Sequence, residues 1–120
     1  MMKTTLVLGA TEKEDRYGNI ALKRLLRYSQ PVKAIGIQEG NVDGVPIQTG
    51  TPPFDDIDTV TLYLNPKNQE QYLDYIISLK PRRIIFNPGT ENPKLENLAR
   101  QNGIEPIEAC TLVMLSTGQY

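Results

Sequence analysis

Phe86-Asn87-Pro88-Gly89-Thr90-Glu91-Asn92-Pro93 follows the short run Arg83–Phe86 and precedes a helical pattern, and the reading of this junction decides the fold. A strand ending at Phe86 and a helix starting at Asn92 put a loop at one edge of a sheet. Asn92 supplies a side-chain cap, and Pro93 has the fixed φ that suits a first helical position. Several backbone N–H groups then gather at that edge. A helix N-terminus carries about half a positive charge and so attracts an anion. Asn65-Pro66 starts a second loop of the same kind, after the strand Thr59–Leu64.

Strands and helices alternate outward from this junction. Thr4–Leu8 reads as a short buried strand that ends at Gly9. Between Asn19 and Tyr28, Ala21, Leu22, Leu25 and Leu26 share one helical face, with Lys23, Arg24 and Arg27 opposite. Pro31–Ile37 is the next strand, with its proline at the first residue, where it is tolerated. Gly40–Gly44 reads as a turn, and Val45-Pro46-Ile47 as a short strand suited to an edge. The helix from Asn65 is expected to run to Leu79, burying Tyr72, Leu73, Ile76 and Leu79 before Lys80-Pro81 ends it. Leu95, Leu98 and Ala99 form the inner face of the helix from Asn92, and Gly103 suits its C-terminal end. Ile104–Glu108 is a last strand, placed at an edge by Pro106.

This alternation implies right-handed crossovers. It predicts an α/β, doubly wound fold: a mainly parallel sheet of five to six strands flanked by helices. Ligands of such sheets bind at the carboxyl ends of the strands, near the switch in strand order. The loops after Gly9, Ile37, Leu64 and Phe86 are therefore expected to converge.

With 120 residues the chain reads as one domain, 1–120. Its net charge of −1 provides no general field for nucleic acid or an anionic membrane, so neither is expected as a partner. Histidine is absent, which excludes His-based triads, His general bases and His-ligated metal. Cys110 is the single cysteine, so no internal disulfide forms; a cytoplasmic protein is expected, with Cys110 a small buried residue beside the last strand. The apolar stretch Leu6–Leu8 is too short for a secretory signal and is soon followed by Glu12-Lys13-Glu14-Asp15-Arg16. No run approaches the ~18 apolar residues that span a bilayer.

Charge placement narrows the function. Arg27, Lys80 and Arg100 lie near helix C-termini, where cations suit the dipole. Lys67 and Lys94 lie in first turns, and Lys13 and Arg16 in the first loop, all on one expected edge. Together they favour a phosphate-bearing ligand. Gly9-Ala10-Thr11, with Gly18 further on, is neither the G-x-G-x-x-G fingerprint nor a P-loop. Glu39 follows the second strand, where a ribose-binding acid sits, but lies further from Gly9 than the usual ~20 residues. Asp55, Asp56 and Asp58 lack EF-hand spacing and read as a solvated loop. Tyr63, Tyr72 and Tyr75 read as core and rim. No acid–base pair emerges, and the residues themselves point to a small-molecule or nucleotide binder.

Val7-Leu8-Gly9-Ala10-Thr11 with Arg16-Tyr17, Val42-Asp43-Gly44-Val45, Asp58-Thr59-Val60, Leu64-Asn65-Pro66, Asn87-Pro88-Gly89-Thr90 and Gly103 through Cys110 carry a family likeness. In their order and spacing the chain resembles the small stand-alone CoA-binding proteins, and the CoA-binding domain of succinyl-CoA synthetase alpha subunits. The resemblance implies a Rossmann-like CoA-binding fold in which Gly9, Ala10, Thr11, Arg16 and Tyr17 take the diphosphate. It implies that Leu64, Asn65 and Pro66 lie near the adenosine and that Asn87, Pro88 and Gly89 line the pantetheine path; Arg16 and Lys67 are expected to neutralise phosphate. The family often has an Asn-Pro-Lys-like stretch after the second strand; this chain reads Gly36-Ile37-Gln38-Glu39, and Glu39 opposes an anion. The synthetase works through a phosphorylated histidine on another domain, and this chain has none. The expectation is non-catalytic binding of CoA or acyl-CoA, as a sensor or carrier and not as an enzyme. Two alternatives stand beside it. One is an NAD(P)-dependent enzyme using Glu39 with Tyr17 or Tyr63. The other is an interaction module with a vestigial pocket, whose partner surface, including that of a homodimer, is Leu112-Val113-Met114-Leu115.

Overall fold

The computed structural model describes residues 3–120. Its strands are β1 (Thr4–Leu8), β2 (Val32–Ile35), β3 (Gly40–Val42), β4 (Val45–Gln48), β5 (Ile57–Leu62), β6 (Arg83–Phe86) and β7 (Glu105–Glu108). Its helices are α1 (Tyr17–Arg27), α2 (Pro66–Gln69), α3 (Leu73–Ser78), α4 (Pro93–Gln101) and α5 (Thr111–Ser116). All seven strands form one sheet in the order β3-β4-β2-β1-β5-β6-β7. The chain leaves β1 first towards β2 and β4, then crosses back to β5, so the switch in strand order lies at β1. Every pairing is parallel except β3 with β4.

Alternation along β1 divides the two layers. Leu6 and Leu8 face the layer of α3 and α4, packing with Tyr72, Leu73, Ile76, Leu95 and Ala99. Val7 faces the layer of α1 and α5, packing with Leu22, Leu25 and Leu115. The central strands β1, β5 and β6 are buried along nearly their whole length, which is why they are rich in Val, Ile, Leu and Thr and do not alternate with charge.

Three expectations are corrected. The sheet has seven strands, because Gly40–Val42 pairs antiparallel with Val45–Gln48 in place of forming only a turn. Asp43 (φ 50°) and Gly44 (φ 89°) make the two-residue hairpin with positive φ at both positions that an Asp-Gly pair favours. Secondly, β4 is not the edge, since β3 lies outside it. Pro46 is still tolerated: β2 pairs with β4 only at Ile47 and Gln48, so no ladder bond needs an N–H at position 46. Thirdly, the helix from Asn65 to Leu79 is not continuous. It tightens into a 3-10 turn over Glu70–Tyr72, between α2 and α3. Just before that turn, the buried Gln69 side chain donates to Leu64 O and to Thr90 O, both at 2.8 Å. The edge position of β7, with Pro106, is as expected.

Towards the C-terminus, Met114 and Leu115 are buried, whereas Val113 is 55% exposed. Most of that apolar stretch thus packs inward. Cys110 is half-buried at the entry to α5. No helix among the described residues is long and apolar enough to cross a membrane.

Candidate functional site

A cavity of about 820 Å³ opens at the carboxyl end of β1, where the strand order switches. The loops after β1, β2, β5 and β6 all contribute to its walls. Close backbone approach builds it. Gly9 has φ 108°, and a Cβ there would lie 2.7 Å from Tyr63 O. A Cβ on Gly18 would lie 2.4 Å from Gly9 O, and one on Gly36 2.3 Å from Ala10 O. Glycine at these positions lets α1 and the end of β2 close against the first loop, the packing role of the last glycine in dinucleotide fingerprints.

The first loop is tied on both sides. Asn19, buried at the start of α1, donates from Nδ2 to Thr11 O (3.0 Å). The Glu12 carboxylate accepts from Asn41 N (2.9 Å) at the β3 edge. The N–H groups of Gly9 and Ala10 both donate to Ile35 O at 2.9 Å, so these two donors serve the fold. Arg16 is the N-cap of α1 and makes no side-chain cap bond, and no acidic residue occupies that helix's first turn.

This marks α1 out among the helices at the edge. Asn65 Oδ1 caps α2 by accepting from Asn68 N (2.9 Å). Asn92 Oδ1 caps α4 by accepting from Leu95 N (3.4 Å), and Thr111 N at the start of α5 donates to Asn87 Oδ1 (2.8 Å). Gly89 N is taken by the Glu91 carboxylate at 2.9 Å. The sequence reading put open donors at Asn92. In the structure Gly89 N and Leu95 N are engaged by side chains of that loop, whereas α1, whose N-cap Arg16 lines the cavity, has no side-chain cap. Lys13 and Arg16 line the cavity and form no salt bridge among the described residues.

The structure brings Gly9, Ala10, Thr11, Arg16, Tyr17, Leu64, Asn65, Pro88 and Gly89 together in the cavity wall. Pro66, Lys67 and Asn87 are not part of that wall. Pro66 and Lys67 are exposed on α2. Asn87 lies buried behind the wall, where its Nδ2 donates to Thr61 Oγ1 (2.7 Å) and Leu62 O (2.9 Å). Lys94, also in a first turn, is engaged by Glu70 at 2.6 Å. Lining residues not expected from sequence include Glu12, Gly36, Asn68 and Tyr72. Gly36 had a readable signal, a glycine closing β2 opposite the first loop.

Tyr63 lines the cavity, yet its hydroxyl donates inward to Asn87 Oδ1 (3.3 Å). Burial pushes its phenol well above the ordinary value, against smaller opposing effects of hydrogen bonds with Thr61 and Thr111. It is held neutral and turned away from the space a ligand would occupy. Tyr17 is 69% exposed and Ile37 84%, both at the cavity rim. Among the described residues no group of three or more Cys, Asp or Glu side chains is placed to hold a metal ion.

Doubly wound sheets take their ligands at this switch point, and a helix N-terminus without a side-chain cap suits an anion. The CoA binding domain family matches residues 3–116, and the chain belongs to that family. None of the curated proteins matches it. Among solved structures, the chain is similar to an uncharacterized protein at 49% identity, with a TM-score of 0.96 and coverage of 100% of this chain and 99% of the other. It is similar in fold to a hypothetical protein from Pyrococcus horikoshii OT3 (24% identity, TM-score 0.85, covering 96% and 82%). It also shares its fold with part of the dinucleotide forming acetyl-coenzyme A synthetase 1 of Ca. Korarchaeum cryptofilum, solved with phosphate and ADP. That match has 17% identity and a TM-score of 0.72, and covers 89% of this chain but 25% of the synthetase.

Proposed function

We propose that the cavity takes the nucleotide end of a CoA-type ligand, and that the chain binds it without catalysis, as a sensor or carrier. The observation that carries this reading is the N-terminus of α1. It has no side-chain cap and no acid in its first turn, and it stands beside Lys13 and Arg16 at the switch point. A diphosphate supplies the negative charge and acceptors that this end lacks. Tyr17 and Ile37 offer apolar surface at the rim for the flat base. The absence of histidine and the inward-turned Tyr63 hydroxyl favour binding over proton-transfer chemistry.

The test is calorimetric titration with CoA and dephospho-CoA, alongside the Arg16→Glu variant. Binding in the micromolar range, about −8 kcal/mol, is expected for at least one of the two. Arg16→Glu should weaken it by about tenfold or more, since the change reverses a charge facing the diphosphate. Unchanged affinity removes Arg16 from the site. No heat with either ligand, together with an unmoved melting temperature, refutes the reading.

A further inference from the structure

The cavity wall carries four charged side chains, Lys13 and Arg16 against Glu12 and Glu39, so its formal charge is zero. Arg16 sits at the start of α1. Glu12 packs against Gly40, where a Cβ would come within 2.5 Å of its carboxylate carbon, and Gly40 directly follows Glu39. Glu12 and Glu39 are therefore both residues of the β2–β3 end of the cavity, with Lys13 beside Glu12 in the chain. Glu12 is fixed there by its bond from Asn41 N, and Glu39 is exposed with no salt bridge among the described residues.

A diphosphate placed on α1 directs its ribose towards the loop after β2, where nucleotide-binding sheets use an acid for ribose hydroxyls and a cation for a ribose phosphate. Here that end has two acids. The ribose phosphate of CoA carries about −1.5 to −2 at pH 7 and finds no cation left after Lys13 and Arg16 serve the diphosphate. Resting on the nucleotide reading above, we infer that the site selects nucleoside diphosphates whose ribose is unphosphorylated, and that Glu39 is the specificity-determining residue. Within the CoA series, dephospho-CoA is the preferred form, its hydroxyls donating to the Glu39 carboxylate.

The experiment compares dephospho-CoA with CoA by calorimetry on the wild-type chain and on Glu39→Lys, at low and high salt. Dephospho-CoA should bind about tenfold tighter at ~0.1 M salt, and the gap should shrink at ~1 M, where screening acts within about 3 Å. Glu39→Lys should reverse the order. Equal or tighter binding of CoA by the wild type overturns the inference while leaving the nucleotide reading standing. An unchanged ratio in Glu39→Lys overturns the assignment to Glu39. Absence of binding by either ligand, with no change in melting temperature, takes down the nucleotide reading and this inference with it.

Discussion

Replacing Gly18 with alanine puts a methyl carbon 2.4 Å from Gly9 O, where ordinary contact begins at 3.4 Å. The obstacle is backbone at the end of a buried strand, not a flexible side chain, so α1 and β1 must part by about 1 Å (3.4 − 2.4). Overpacking of this kind costs about 1–3 kcal/mol. Alanine recovers up to about 1 kcal/mol through helix propensity, and less at the second residue of a helix. A net loss of about 1–2 kcal/mol should appear in urea denaturation, with a fall in melting temperature of roughly 3–8 °C. Binding should suffer more than stability. A shift of that size takes donors on α1 beyond the roughly 2.7–3.2 Å range of a hydrogen bond, and dephospho-CoA affinity should fall by about tenfold or more. The assay is paired denaturation and titration on the same preparation. Unfolding free energy and affinity both unchanged would refute the claim that the Gly9–Gly18 approach shapes the site.

Two further outcomes concern the fold behind the cavity. Asn87→Ala removes the donors to Thr61 Oγ1 and Leu62 O and the acceptor for Thr111 N. Thr61 Oγ1 keeps its bond with Thr111 Oγ1 (2.8 Å), but Leu62 O and Thr111 N each lose a partner at about 1–3 kcal/mol, so a loss of about 2 kcal/mol or more is expected in urea; a loss under about 1 kcal/mol would mean that water replaces the amide. Glu96 is buried on α4 near Glu108. Burial chiefly, with hydrogen bonding and repulsion from the Glu108 carboxylate, raises its pKa above the ordinary carboxyl value; Arg100 and the Asn92 backbone oppose this. A raised acid favours folding in its protonated form, so its contribution is fully present below the unfolded value and is lost as pH rises through the folded one. Glu96→Gln should therefore stabilise the protein at pH 8 relative to wild type, with the difference shrinking as pH falls towards 4. A difference that grows on acidification would show that pairing with Arg100, at 3.8 Å, dominates instead.

Much of this architecture is legible along the chain because its signals are local. Asn65 and Asn92 each precede a proline at a first helical position, and both do cap their helices. Pro106 marks an edge strand correctly because a missing N–H matters only where a neighbour needs it. The seventh strand is different. Gly40–Val42 has three residues and little apolar character, and it becomes a strand only because β4 offers it a partner. The break at Glu70–Tyr72 is equally invisible in the apolar spacing. It lies beside the buried contacts of Gln69 with Thr90 and with Asn92, 21 and 23 residues away.

The site divides along the same line. Sequence by itself determined that strands alternate with helices and that four loops meet at one edge of the sheet, since periodicity, caps and crossover handedness are properties of neighbouring residues. Which helix end stays open was decided by tertiary structure. Asn65, Asn92, Glu91 and Asn87 engage donors of the other loops, whereas α1 has no side-chain cap, and Gly18 lets it close against a loop whose Gly9 and Ala10 amides already belong to Ile35. A donor's freedom depends on every acceptor that the fold brings within about 3 Å, and that distance is not written in the order of residues.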